Sequence, residues 1–166
     1  MKIRILTAAF LGAALFATAG QAQQAPPPAS PPLPYGPQIT LDQAKKVAAA
    51  AEAESRKIGI PETFAIVGPT GLMVYFEKMD GTHNGSVLLA RRKAETAAQF
   101  KRPSQAFENA VKAGNTFLLG LEGAMPVGGG VPIVVNGMII GAIGASGAPA
   151  SEPDGDVAQA GADALK

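Results

Sequence analysis

Hydrophobic positions follow two different periods along this chain. Short continuous apolar runs mark strands at 63–67, at 72–76 and on both sides of Asn136-Gly137, and recurrences at i, i+3 and i+4 mark helices. The stretch GGGVPIVVNGMIIGAIGASG (128–147) organises the rest. Its Asn-Gly pair supplies the two positive-φ residues of a type I′ hairpin turn. Folded there, Val135 faces Met138, Val134 faces Ile139 and Ile133 faces Ile140. Val131, Ile133, Val135, Met138, Ile140 and Ala142 then share one face, and Val134, Ile139 and Ile143 the other. Neither face carries a charge, so the ribbon must be covered on both sides, by helices or by a partner subunit.

Upstream, Thr40 and Gln43 form a capping box behind Ile39. Leu41, Ala44, Ala48, Ala51 and Ile58 recur at helical spacing until Gly59 and Pro61 end the segment. Gly68-Pro69-Thr70-Gly71 joins the first two strands as a second hairpin. A polar loop, EKMDGTHNGS, follows and holds His83, the chain's single histidine. Ser86 is expected to cap a helix to about Phe100 whose packed face is Val87, Leu88, Ala90, Ala94, Ala97 and Ala98. Ser104 is expected to cap a shorter helix to Ala113, and a last helix begins near Pro153. With hairpins clear and strand–helix alternation poor, the pattern predicts an α+β fold: an antiparallel sheet flanked by helices.

Residues 1–22 read as a secretory signal peptide: Lys2 and Arg4, then an apolar run from Ile5 to Ala19, then small residues at the −3 and −1 positions of Gly20-Gln21-Ala22. The apolar run is short for a membrane span and has no stop-transfer charges behind it. The expectation is cleavage after Ala22 and a periplasmic or secreted protein, with no stable membrane span afterwards. Residues 23–38 form a proline-rich tether, and 39–166 form one domain. Removing Lys2 and Arg4 takes the formal charge from +1 to −1, which offers no basis for nucleic-acid binding. With no cysteine, packing and association must hold the exported fold.

Catalytic and metal signatures are sparse. One histidine and no cysteine argue against a strong transition-metal site. Gly128-Gly129-Gly130 lacks the Gly-Lys-Ser/Thr of a phosphate loop, and Ser146 stands in Gly-Ala-Ser-Gly-Ala rather than a nucleophile elbow. The glycines more simply permit close backbone approach. His83 is ordinarily a solvated loop residue; the sharper alternative is an axial haem ligand, with Tyr75, Met73 and Met79 nearby in sequence as second ligands. Arg91, Arg92 and Lys93 oppose the helix dipole at an N-terminal half, so they are either solvated or meet a carboxylate or an anionic ligand.

The segments ITLDQAKKVAAAAEAESRKIGIP, VYFEKMDGTHNGS, KAETAAQFKRPS, GGGVPIVVNGMIIGAIGASG and DGDVAQAGADAL, in this order, resemble the GlcG/HbpS-like haem-binding family, related to the PduO C-terminal domain. The resemblance covers about Ile39 to Lys166. It implies a profilin-like layered topology, assembly into homo-oligomers, often octamers, and binding of haem or a corrinoid, in one exported case linked to haem sensing. Members often carry Asp-x-x-Gly after the first strand, where this chain has Gly68. The expectation is an exported haem- or tetrapyrrole-binding protein acting in haem or iron sensing or sequestration. His83 would ligate the iron, and Arg91, Arg92, Lys101 and Arg102 would meet the propionates. The alternative is an oligomeric enzyme or accessory protein acting on a small organic acid or cofactor, for which no catalytic constellation is visible.

Overall fold

A computed structural model describes residues 31–166. The expected signal peptide (1–22) and the first part of the tether (23–30) lie outside the described residues. Helices α1 (Leu41–Ile58), α2 (Gly85–Phe100), α3 (Gln105–Lys112) and α4 (Ser151–Asp163) combine with strands β1 (Thr63–Val67), β2 (Met73–Lys78), β3 (Gly130–Val135) and β4 (Met138–Ser146). A 3₁₀ turn at Thr116–Gly120 lies between α3 and β3. The strands form one antiparallel sheet in the order β2-β1-β4-β3.

Helix α1 starts and stops on its sequence signals. Thr40 Oγ1 accepts from Gln43 N at 3.2 Å, Gln43 Oε1 accepts from Thr40 N at 2.9 Å, and Gly59 closes the helix at φ 73°. Ala44, Val47, Ala48 and Ala51 are buried, whereas Leu41 and Ile58, the terminal residues of the helix, stay exposed against expectation. Helix α4 begins at Ser151, with Pro153 inside its first turn, where a missing N–H costs nothing.

The central hairpin corrects one pairing. Val135 opposes Met138 and Val134 opposes Ile139 as expected, but a bulge between Ile133 and Val134 sets Ile133 opposite Gly141 rather than Ile140. An extra residue in one strand inverts the faces beyond it. Val131 and Ile133 therefore pack with Ile143 and Ala145, while Ala142 turns to the opposite face with Ala65 and Val67.

The ribbon is covered on both sides. Against one face, α1 and α4 bury Phe64, Ile66, Ile133 and Ile143 with Val47 and Val157. Against the other lies α2 alone, touching the sheet with Ala90, Ala94, Ala97 and Ala98. Its backbone comes so close that a Cβ placed on Gly144 would lie 2.0 Å from Ala90 O and 2.7 Å from Ala94 N. Val87 and Leu88, expected to pack, instead lie 40% and 60% exposed, because alanines occupy the face of α2 that rests on the sheet.

Two expected caps do other work. Asn84 holds the N-cap position of α2, and Ser86 sits inside the first turn, buried, bonded to Thr63 Oγ1 at 2.7 Å and donating to His83 O at 2.6 Å. Ser104 precedes α3 without capping it; its hydroxyl donates to Val127 O and accepts from Gly130 N at 2.8 Å, pinning the glycine loop.

Candidate functional site

Because α2 meets the sheet through alanines, most of its larger side chains, Lys93 excepted, are left on the outer surface. Val87 and Arg91, and Leu88 and Arg92, are i,i+4 neighbours there, and exposed His83 precedes the first turn. Arg91 Nε donates to Glu95 Oε1 at 2.7 Å. The register places Phe76 opposite Ala65, on the same side of the sheet as α2, yet Phe76 remains 39% exposed. Helix α2 packs mainly over β4, β1 and β3. An imidazole, an apolar strip and two guanidinium groups thus share one open surface.

The other two expected cations lie elsewhere. Helix α2 is 16 residues long, about 24 Å at 1.5 Å per residue, so His83 and the Lys101–Arg102 pair stand at opposite ends. A single ligand on one chain does not touch both. Lys101 Nζ lies 4.1 Å from the centroid of the Tyr35 ring, and the Arg102 guanidinium lies 4.1 Å from that of Phe107. Tyr35 itself donates to Ala98 O and Gln99 O in the last turn of α2. A cleft of about 570 Å³ beside Tyr35 is lined by Gly36, Gln38, Pro69, Thr70 and Gln99, with no charged side chain among them.

The suggested second ligands also separate. Tyr75 and Met79 pack toward the α1/α4 core. The Met79 sulfur accepts from Ser55 Oγ at 3.1 Å and Glu62 N at 3.4 Å, and the Tyr75 hydroxyl donates to Glu77. Met73 is exposed on β2.

Behind α2 lies a buried charge cluster. Lys93, expected with Arg91 and Arg92 either to be solvated or to meet a carboxylate or an anionic ligand, is 1% exposed and meets a carboxylate. Its Nζ meets Asp154 Oδ2 at 2.6 Å and Ala145 O at 3.1 Å. Asp154 Oδ1 accepts from the backbone N–H groups of Gly147 at 3.1 Å and Ala148 at 2.9 Å. Glu62 is fully buried, and neither of its side-chain oxygens has a hydrogen-bond partner among the described residues. Burial, reinforced by the Asp154 charge and opposed by Lys93, pushes its pKa up to about 8. Gly129, at φ 114°, closes the cluster from outside: a Cβ there would lie 2.9 Å from both Lys93 Nζ and Asp154 Cβ.

The sequence carried a signal for this cluster. Lys93 falls on the same helical stripe as Ala90, Ala94 and Ala97, and Asp154 on that of Val157, Ala158 and Gly161. A charge on an apolar stripe implies a buried partner.

The outer α2 surface fits an iron porphyrin in donor chemistry. His83 Nδ1 accepts from Ser86 N at 3.2 Å, which makes Nε2 the N–H of the neutral ring. Ligation through Nε2 requires the ring to give up that bond. Ser86 N–H also reaches His83 O at 3.2 Å, so the loss is a fraction of a hydrogen bond's net ~1 kcal/mol. Val87 and Leu88 supply apolar contact, and Arg91 and Arg92 offer bidentate partners for carboxylates.

Residues 39–163 match the family model described as "Haem degrading protein HbpS-like". The chain is 31% identical over 108 residues to GlcG of Escherichia coli K12, covering 65% of this chain and 81% of GlcG. A crystal structure of a double mutant of Streptomyces reticuli HbpS superposes with TM-score 0.72 at 30% identity, covering 87% of this chain and 99% of that one. PduOC, crystallised in complex with haem, superposes with TM-score 0.70 at 26% identity over 78% of this chain and 96% of its own. The alanine-floored helix, the glycine-rich hairpin and these likenesses coincide, and the chain belongs to the HbpS-like family.

Proposed function

We propose that this protein binds haem or a related tetrapyrrole on the outer face of α2 and works as an exported homo-oligomer in haem sensing or sequestration. The observation that carries the reading is the open strip His83–Val87–Leu88–Arg91–Arg92. Its composition matches an amphiphile with a metal centre, an apolar ring and carboxylate arms. Haem supplies the iron chemistry when bound; the chain's own residues orient it, His83 toward the metal and the two arginines toward the propionates. The haem complex of PduOC supports the ligand class. Met73 and Phe76 on β2, a sheet-edge strand, and Leu72 just before it leave apolar surface, which favours self-association. Export rests on the Lys2–Ala22 pattern.

Titration with haemin tests the ligand. The expected result is a saturable, shifted Soret band with wild type and an unshifted band with His83→Ala. An unchanged shift in His83→Ala removes that residue from the site. Solution mass tests self-association, and a mature N-terminus at Gln23 after periplasmic expression tests export.

A further inference from the structure

Four parts of the fold converge on the buried cluster behind α2. Lys93 comes from α2, Asp154 from the first turn of α4, the Ala145 carbonyl and the Gly147 and Ala148 N–H groups from the end of β4, and Glu62 from the residue before β1. A Cβ on Gly147 would lie 2.8 Å from Glu62 Cγ, so the Glu62 side chain runs alongside the end of β4. Each of the other charged or backbone groups has a partner. Glu62 has none.

A buried polar group without a partner calls for a physical reason. Helix α1 presents the Ser55 hydroxyl, whose one proton is shared between Ile60 O and the Met79 sulfur, and the residue after β2 presents that sulfur, which also accepts from Glu62 N. The charges that act on Glu62 are Asp154, which opposes its ionisation, and Lys93, which favours it. Lys93 is committed to Asp154. Ionising Glu62 puts a second carboxylate charge where one lysine serves, in a place water does not reach.

We propose that Glu62 is the proton-carrying member of a pH-sensitive clasp: neutral, it leaves Lys93 paired with Asp154; ionised, it competes for Lys93 and loosens the junction of α2, β4 and α4. That junction also backs a cleft of about 320 Å³ between the glycine loop and α4, lined by Gln105, Gly129, Glu152, Asp156 and Gln159 among others. Loosening the clasp therefore changes the wall of that cleft.

The sign follows from the raised pKa. The folded state holds a proton at Glu62 that the unfolded chain gives up near the ordinary carboxylic-acid value of 4.5. Stability from this group is complete below that value, falls as pH rises from there through about 8, and is flat above.

The test uses full-length wild type, Glu62→Gln, which keeps the shape of the neutral acid and does not ionise, and Glu62→Met, which removes the acid. Between about pH 5 and pH 8 the thermal midpoint of wild type should fall relative to both variants, and the gap should level off above pH 8. In infrared difference spectra, wild type should show a protonated-acid C=O band that is absent in Glu62→Gln and titrates away near pH 8. Amide exchange at Gly147 and Ala148, compared at the same pH, should be faster in wild type than in Glu62→Gln above pH 8 and equal below pH 6 (about two units lower). Parallel stability profiles, no protonated-acid band near neutrality, or equal exchange across the range would each overturn the proposal. Should Glu62→Met not fold, the Glu62→Gln comparison alone decides.

Discussion

Between the sheet and the α1/α4 pair, contact is made by side chains: Phe64, Ile66, Ile133 and Ile143 interlock with Val47 and Val157. Between the sheet and α2, contact is made by alanines and by backbone against backbone, with a Gly144 Cβ position only 2.0 Å from Ala90 O. The first face can trade one aliphatic shape for another because neighbouring side chains relax into the gap. The second has no side chain to move, since the obstructing atoms are main chain. A helix held in that way keeps most of its larger residues, Lys93 excepted, on the outside, and those residues include the ones proposed to meet the ligand. Thin packing beneath α2 and an open strip above it are two consequences of one choice of small residues.

Adding bulk to the thin face should have the largest effect. Gly144→Val is expected to cost more than about 5 kcal/mol and abolish the cooperative transition in thermal unfolding. If instead the variant unfolds cooperatively near the wild-type temperature, α2 is not seated on the sheet backbone.

Lys93→Met comes next. It strips the partner from a carboxylate that is 4% exposed and should cost about 3–5 kcal/mol by chemical denaturation. Adding Asp154→Leu should recover much of that loss, since a buried ion pair replaced on both sides is often neutral. A double variant no more stable than Lys93→Met would show that the Gly147 and Ala148 contacts of Asp154 outweigh the ion pair.

On the thick face the same measurement should register little. Ile143→Val removes one methylene from a buried site and is expected to cost about 1 kcal/mol. A loss as large as that of Gly144→Val would erase the distinction between the faces.

Much of this was legible in the sequence. The Asn136-Gly137 turn, the Thr40–Gln43 box and the Gly59 stop are local rules, and each element they govern lies where they put it. The bulge at Ile133 was not legible, because pairing offset by one residue leaves an all-apolar ribbon just as apolar. Ser86 and Ser104 read as caps because the local rule is strong, but tertiary partners (Thr63 for one, Val127 and Gly130 for the other) claimed their hydroxyls. Grouping Lys93 with its arginine neighbours followed adjacency in sequence, whereas the 3.6-residue period puts it on the buried side. Lys101 and Arg102 were grouped with His83 by charge alone, and the length of α2 separates them.

The most direct measurement is haemin affinity, by absorbance titration, for Arg91→Ala/Arg92→Ala and Lys101→Ala/Arg102→Ala. The account predicts a loss of about tenfold or more for the first pair, equivalent to one or two charge-assisted hydrogen bonds, with thermal stability changed by no more than about 0.5 kcal/mol. It predicts affinity within about twofold of wild type for the second pair, since about twofold is less than one hydrogen bond is worth. The reverse pattern, with affinity lost only at the Lys101–Arg102 end, would contradict the placement of the ligand on the outer face of α2.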